Sequence, residues 1–186
     1  MEYKNLKAID DSTKKTLIST FSGIITDLKH LSIGKITSIL MCIPDMCRMH
    51  HNSCENRKVK NNDKGKMHPI RPNRGEIYNA LITEGIGSEL SGNHLVVIVQ
   101  NDKGNIYGEK VNVLPIEGDG NKINPNYQLQ LNNTDLESGK LDKDPSRIII
   151  TDIMTIDKAR LGRKIGKLTP EHIIKLDKSL KKQLKL

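Results

Sequence analysis

Cys42, Cys47, His50, His51 and Cys54 stand within thirteen residues as Cys-x4-Cys-x2-His-His-x2-Cys, and thiolates with imidazoles are a zinc-ligand set. A structural zinc site sets two short ligand turns apart by a longer loop, so this spacing predicts free thiols and solvent-facing histidines instead, with no metal and no cofactor. Gly85-Ile86-Gly87 lacks the later glycine and the βαβ setting of a dinucleotide fold and reads as a turn. The sequence holds no Walker A lysine, no Gly-x-Ser-x-Gly elbow and no His-Glu-x-x-His zinc motif. The 30 basic against 22 acidic residues give a net charge of +8, which suits a polyanionic partner. With 4 Tyr, 1 Phe and no Trp, recognition by rows of bases stacked on aromatic platforms has little raw material.

The elements that must position such groups fall into two kinds. Leu17, Phe21, Ile24, Leu28 and Leu31, flanked by Ile18 and Ile25, recur at helical spacing. Gly34 interrupts the pattern, Ile36, Ile39, Leu40 and Ile43 suggest a second short helix, and Pro44 is expected to end it. Residues 1–51 therefore read as a helical extension, and the Asn-, Lys- and Asp-rich stretch 52–72 as a flexible polar linker. From residue 73 the period becomes two. Short β-branched runs at 77–82, 95–100, 111–116, 127–131 and 147–151 alternate with Gly, Asn, Asp and Pro clusters, predicting a mostly antiparallel, barrel-like sheet. Thr169 as N-cap and Pro170 as first helical residue open a terminal helix with lysines among its leucines and isoleucines. No stretch approaches the ~20 apolar residues of a membrane span, and three cysteines suit a reducing compartment, so no membrane association and a cytoplasmic location are expected.

One set of blocks is more specific. Arg74-Gly75-Glu76-Ile77-Tyr78, Gly87-Ser88-Glu89, the run Val96 to Asp102, Gly104-Asn105 and Tyr107 follow one another in a register that resembles the MazF/PemK/Kid toxins. Thr155-Ile156-Asp157-Lys158, Arg160-Leu161 and Leu168 with the terminal helix extend the likeness over residues 73–186. The resemblance implies an α+β fold: a small mostly antiparallel β-barrel with a C-terminal helix, here behind an N-terminal helical extension. It also implies a homodimer that cuts single-stranded mRNA without metal, and a cognate antitoxin whose acidic tail lies along the RNA groove. Cleavage in that family proceeds by attack of a 2′-OH on the neighbouring phosphorus, leaving a 2′,3′-cyclic phosphate and a 5′-OH.

The same register shows a departure. The family loop after Gly87-Ser88-Glu89 ends in Arg-Pro and carries the main catalytic arginine, where this chain has His94-Leu95; the family's catalytic Thr or Ser falls at Glu117. A histidine with an ordinary pKa near ~6.5 exchanges protons at neutral pH as an arginine does not. His94 is thus the expected acid or base and Glu117 its partner, with Ser88, Glu89, Asn93 and Arg74 as RNA contacts, Arg74 having a surface ion pair as its alternative. The competing expectation is a catalytically impaired relative that binds antitoxin or RNA, or a CcdB-type topoisomerase poison, since a carboxylate repels a phosphate backbone. Charge does not separate the two readings, because residues 1–72 hold 13 basic and 7 acidic residues (+6) and residues 73–186 hold 17 and 15 (+2).

Overall fold

From Glu76 onward the chain alternates its apolar side chains between two faces of a sheet, as a period of two requires. In the computed structural model, which describes residues 10–27 and 33–186, the strands are β1 (Glu76–Ile82), β2 (Gly92–Ile98), β3 (Lys110–Glu117), β4 (Gln128–Leu131), β5 (Leu136–Gly139), β6 (Ser146–Ile149), β7 (Met154–Asp157) and β8 (Leu161–Leu168). Their order is β4-β6-β3-β2-β1-β8-β5, with β7 beside β3. Every one of these ladders is antiparallel. The sheet curls into a half-barrel. Pro115 sits where the outer side of β3 passes from β7, paired through Val113, to β6, paired from Ile116, so no ladder there needs its missing N–H.

The inner face packs Ile77, Val97, Leu114, Ile116 and Ile148 against Leu176 and Leu180 of α4 (Pro170–Leu184). Full burial of such side chains contributes roughly 1.5–3 kcal/mol each. The outer face carries a second cluster, Ala80, Val96, Ile98, Val111, Val113 and Ile156. The N-terminus of α4 is as expected: the Thr169 hydroxyl accepts from the His172 amide and Pro170 opens the helix.

Three strands have no counterpart among the runs read from sequence: β5, β7 and β8. They are short or, like Lys164 and Lys167 in β8, carry lysines on the exposed side. Asn101 and Asp102 open a short helix, Asp102–Tyr107. Asn101 Oδ1 caps it by accepting from Gly104 N–H at 2.8 Å, and Asp102 Oδ1 accepts from the Arg74 amide.

Two compact units divide the chain, residues 1–42 and 43–186. In the first, α1 (Asp11–Asp27) begins where Asp10 accepts from the Thr13 amide and leaves Leu17, Ile18, Phe21 and Ile25 exposed. Leu28, Leu31 and the side chain of Ile24 lie outside the described residues. The next helix, α2 (Ile33–Asn62), corrects two expectations. It does not stop at Pro44, although the proline forfeits one intrahelical bond. Nor is the stretch expected as a polar linker wholly without structure, since its residues 52–62 are the end of this helix. Met49, Ser53, Asn56 and Lys60 form a half-buried stripe at helical spacing. Ser53 Oγ donates to Asp157 Oδ2 at 2.8 Å, while Arg57 and Lys60 pair with Glu109. Polar contacts with the sheet domain thus hold a helix whose composition alone would not form one. Beyond it, His68 is buried and its amide donates to the Ile106 carbonyl at 2.9 Å.

With α1, α2 and α4 named, the short helix Asp102–Tyr107 is α3. Among the described residues no helix is long and apolar enough to cross a membrane.

Candidate functional site

At one end of the sheet, four polar residues occupy successive strands. Arg147 on β6 is paired with Glu117 on β3 and with Gln130 on β4. The β2–β3 ladder, which pairs Leu95 with Ile116, continued by one residue sets His94 opposite Glu117. Cross-strand partners share a face. Gln130, Arg147, Glu117 and His94 therefore form one row on the outer face, while Leu129, Ile148, Ile116 and Leu95 form the adjoining row against the inner core. With strands ~4.8 Å apart the row spans about 15 Å.

His94 is half-buried, and its Nε2–H donates to the Ser91 carbonyl at 2.9 Å. A carbonyl can only accept, so Nε2 carries the hydrogen and Nδ1 is the ring's acceptor. Glu117 does not pair with His94. Its Oε2 accepts from Arg147 Nε at 2.9 Å and Nη2 at 2.7 Å, leaving Oε1 outside that bond. Arg147 Nη1 also donates to the Lys122 carbonyl at 3.3 Å, and Gln130 Nε2 to the Gly120 carbonyl at 3.5 Å, so the β3–β4 loop closes this end of the row. The Glu117 carboxylate, expected to repel a phosphate backbone, faces a guanidinium at once.

The loop between β1 and β2 is stitched from within. Ser91 Oγ accepts from the Gly85 amide at 3.0 Å and Glu89 Oε2 from the Ile86 amide at 2.8 Å. Gly87 and Gly92 have φ of +60° and +99° with open space around them, so it is the backbone conformation and not crowding that calls for glycine. Arg160, at the end of the short turn Lys158–Arg160, ties the loop's root by donating to the Leu81 carbonyl at 3.0 Å and the Thr83 hydroxyl at 3.4 Å. Ser88 and Glu89 line a concavity with Thr83, Asp152 and Met154. Replacing Arg160 by Ala removes a charge-assisted bond of about 1.5 kcal/mol. Roughly tenfold slower turnover of any substrate held by this loop is expected, read by steady-state kinetics; an unchanged rate would show that the loop does not depend on this anchor.

The residues predicted from sequence thus divide. His94 and Glu117 share the row, and Ser88 and Glu89 share the neighbouring loop, although the Glu89 carboxylate also holds that loop's turn. Asn93 is exposed on β2 and, as the neighbour of His94, alternates to the other face. Arg74 is elsewhere. It lies in the turn before β1, six residues ahead of Ala80, the partner of His94, and its guanidinium is bonded to Asp177 on α4. The ion pair that was the alternative to its RNA contact is thus present. Arg147, Gln130 and Ser91 carry no signal of their own in the sequence, and Arg160 stands there only within the Arg160-Leu161 block. Among the described residues no group of three or more His, Cys, Asp or Glu could hold a metal ion; helix α2 brings Cys54 Sγ within 3.7 Å of His50 Nε2 and gathers no third ligand.

Solved structures of similar fold include MazF from Deinococcus radiodurans, 12% identical with a TM-score of 0.51, covering 62% of this chain and 97% of that one. An endoribonuclease in complex with its cognate antitoxin from a mycobacterial species is 22% identical, with a TM-score of 0.46 over 62% of this chain and 95% of that one. The Mycobacterium tuberculosis toxin MazF-mt6 is 19% identical, with a TM-score of 0.47 over 60% and 97%. Residues 73–184, more than half of the chain, match the family model described as PemK-like, MazF-like toxin of type II toxin-antitoxin system, and the chain belongs to that family.

Proposed function

We propose that this chain is a toxin that cleaves single-stranded RNA, with His94 and Glu117 as its proton-transfer pair. The observation that carries the reading is the row on β2, β3 and β6, where an imidazole, a carboxylate and a guanidinium stand on adjacent strands. Transesterification of RNA needs a base for the 2′-OH, an acid for the departing 5′-oxygen and donors for the phosphoryl charge. Glu117 Oε1 takes the 2′-OH proton as O2′ attacks phosphorus. The imidazolium of His94 gives its Nδ1 proton to O5′ as the P–O5′ bond breaks. The products are a 2′,3′-cyclic phosphate and a 5′-OH. A homodimer in the cytoplasm, restrained by a cognate antitoxin, accompanies this reading; the complex of a mycobacterial relative with its antitoxin supports the partner.

The test is incubation of the full chain with a long transcript of mixed sequence in EDTA. Discrete fragments whose 5′ ends accept phosphate from a kinase without prior phosphatase are expected. Intact RNA, or RNA merely shifted in a gel, overturns the enzymatic reading in favour of a binding protein.

A further inference from the structure

We propose that Arg147 is the residue that binds the scissile phosphodiester, with Glu117 holding its guanidinium in place until substrate arrives. This rests on the RNA-cleaving reading above and names the group that meets the phosphoryl charge. Arg147 lies on β6 next to β3, so its guanidinium occupies the row beside the carboxylate and two strands from the imidazole. Its side chain keeps 22% exposure and that of Glu117 34%, so both are open to a ligand from the outer face. Arginine has five donor hydrogens in a fixed fork. Nε and Nη2 each direct one to Glu117 Oε2 and Nη1 directs one to the Lys122 carbonyl. One hydrogen remains on each terminal nitrogen, which is what bidentate binding of two phosphoryl oxygens requires.

The carboxylate makes this arrangement responsive. In the resting chain Glu117 neutralises Arg147, which stays fixed by three bonds. When Glu117 takes the 2′-OH proton it becomes neutral, so the guanidinium loses its counter-charge in the same step that loads a second negative charge on the attacked phosphoryl group. The interaction of Arg147 with substrate is then stronger in the transition state than in the ground state, the condition for acceleration. No proton passes through Arg147. One moves from O2′ to Glu117 and one from His94 to O5′.

An oligomer spanning a mapped cut, with a single Rp or Sp phosphorothioate at the scissile linkage, provides the test on the full-length chain. The unaltered protein is expected to cut one diastereomer in preference to the other. Arg147→Gln should slow cleavage by about 10²–10³-fold, as loss of one oxyanion donor does elsewhere, and bring the two diastereomers close to equal rates. Arg147→Lys keeps the charge opposite Glu117, and with it the fold, but loses the fork; it should recover part of the rate without the diastereomer preference. Binding of a 2′-O-methyl oligomer, followed against salt, should fall in slope by about 0.7 for Arg147→Gln, the loss of one phosphate contact on a single strand. Cleavage by Arg147→Gln within threefold of the original rate, or an unchanged diastereomer preference in Arg147→Lys, overturns the assignment of Arg147 alone. A parent protein that cuts no RNA overturns the reading of function, and the catalytic role of Arg147 with it.

Discussion

His94→Ala lowers RNA cleavage by roughly 10²–10⁴-fold, the usual worth of a positioned acid or base, while the protein stays folded. The two halves of this expectation have separate causes. The imidazole makes one hydrogen bond, to the Ser91 carbonyl, and is half-buried near the start of β2, opposite Ala80 at the margin of the outer apolar cluster. Its removal costs on the order of 1 kcal/mol of stability. Chemistry depends on it far more, because Arg147 cannot release a proton at neutral pH and, among the described residues, no other titratable side chain stands opposite Glu117 on β2. Single-turnover cleavage of an oligomer spanning a mapped site measures the first half and thermal melting the second. His94→Gln, which retains a donor toward Ser91 and has no titrating nitrogen, should fall as far as His94→Ala. If either variant cleaves at the original rate, the proton-transfer role of His94 is wrong and the departing oxygen is served by another group.

Strands with two apolar faces were readable because alternation is written in the side chains themselves. Ile77 and Val97 turn to one core while Ala80 and Val96 turn to the other. The same holds for α4, where Thr169 and Pro170 mark a start that needs no partner to be recognised. What escaped is what depends on strand order. Arg147 opens a run of isoleucines that reads as one strand; it becomes Glu117's partner only because β6 lies beside β3, a pairing between residues thirty positions apart. The second half of α2 escaped for a related reason. Its residues are poor in apolar groups, so composition predicts a linker, yet Ser53, Arg57 and Lys60 find Asp157 and Glu109 across the fold. Those contacts also change the meaning of the basic excess in residues 1–72, since two of its cations are engaged by a carboxylate of the sheet domain. Arg74 stands in a motif block, and the ion pair that was the alternative to its RNA contact is visible only once α4 places Asp177 within reach.

Stability should rise by about 2 kcal/mol between pH 7.5 and 9.5, and Lys158→Met should abolish that rise. Lys158 is fully buried, its Nζ–H donating to the Asn105 carbonyl at 2.5 Å, which joins the turn after β7 to α3. Burial, with the like charge of Lys60 adding to it and Asp157 opposing, lowers its pKa to about 8. In the unfolded chain the same amine titrates near ~10.4. Below pH 8 both states carry the proton and the folded state bears the full cost of an enclosed charge. Between about 8 and 10.4 the folded state has released its proton while the unfolded state keeps it, so the unfolded state binds more protons and stability climbs with pH. The climb is complete above the unfolded value, and the stability is lost again as pH falls through the folded one. Tyr78, whose pKa burial and its bond to Glu76 push up, acts only above pH 10, where it works in the opposite direction. Urea melts at pH 7.5 and 9.5 therefore isolate Lys158. A parent protein whose midpoint does not rise over this window, or a Lys158→Met variant that rises equally, would show that the amine is already neutral or solvated in the fold. The consequence reaches the row of polar residues, because Lys158 begins the short turn that ends in Arg160, and Arg160 holds the root of the loop whose Ser91 carbonyl orients His94.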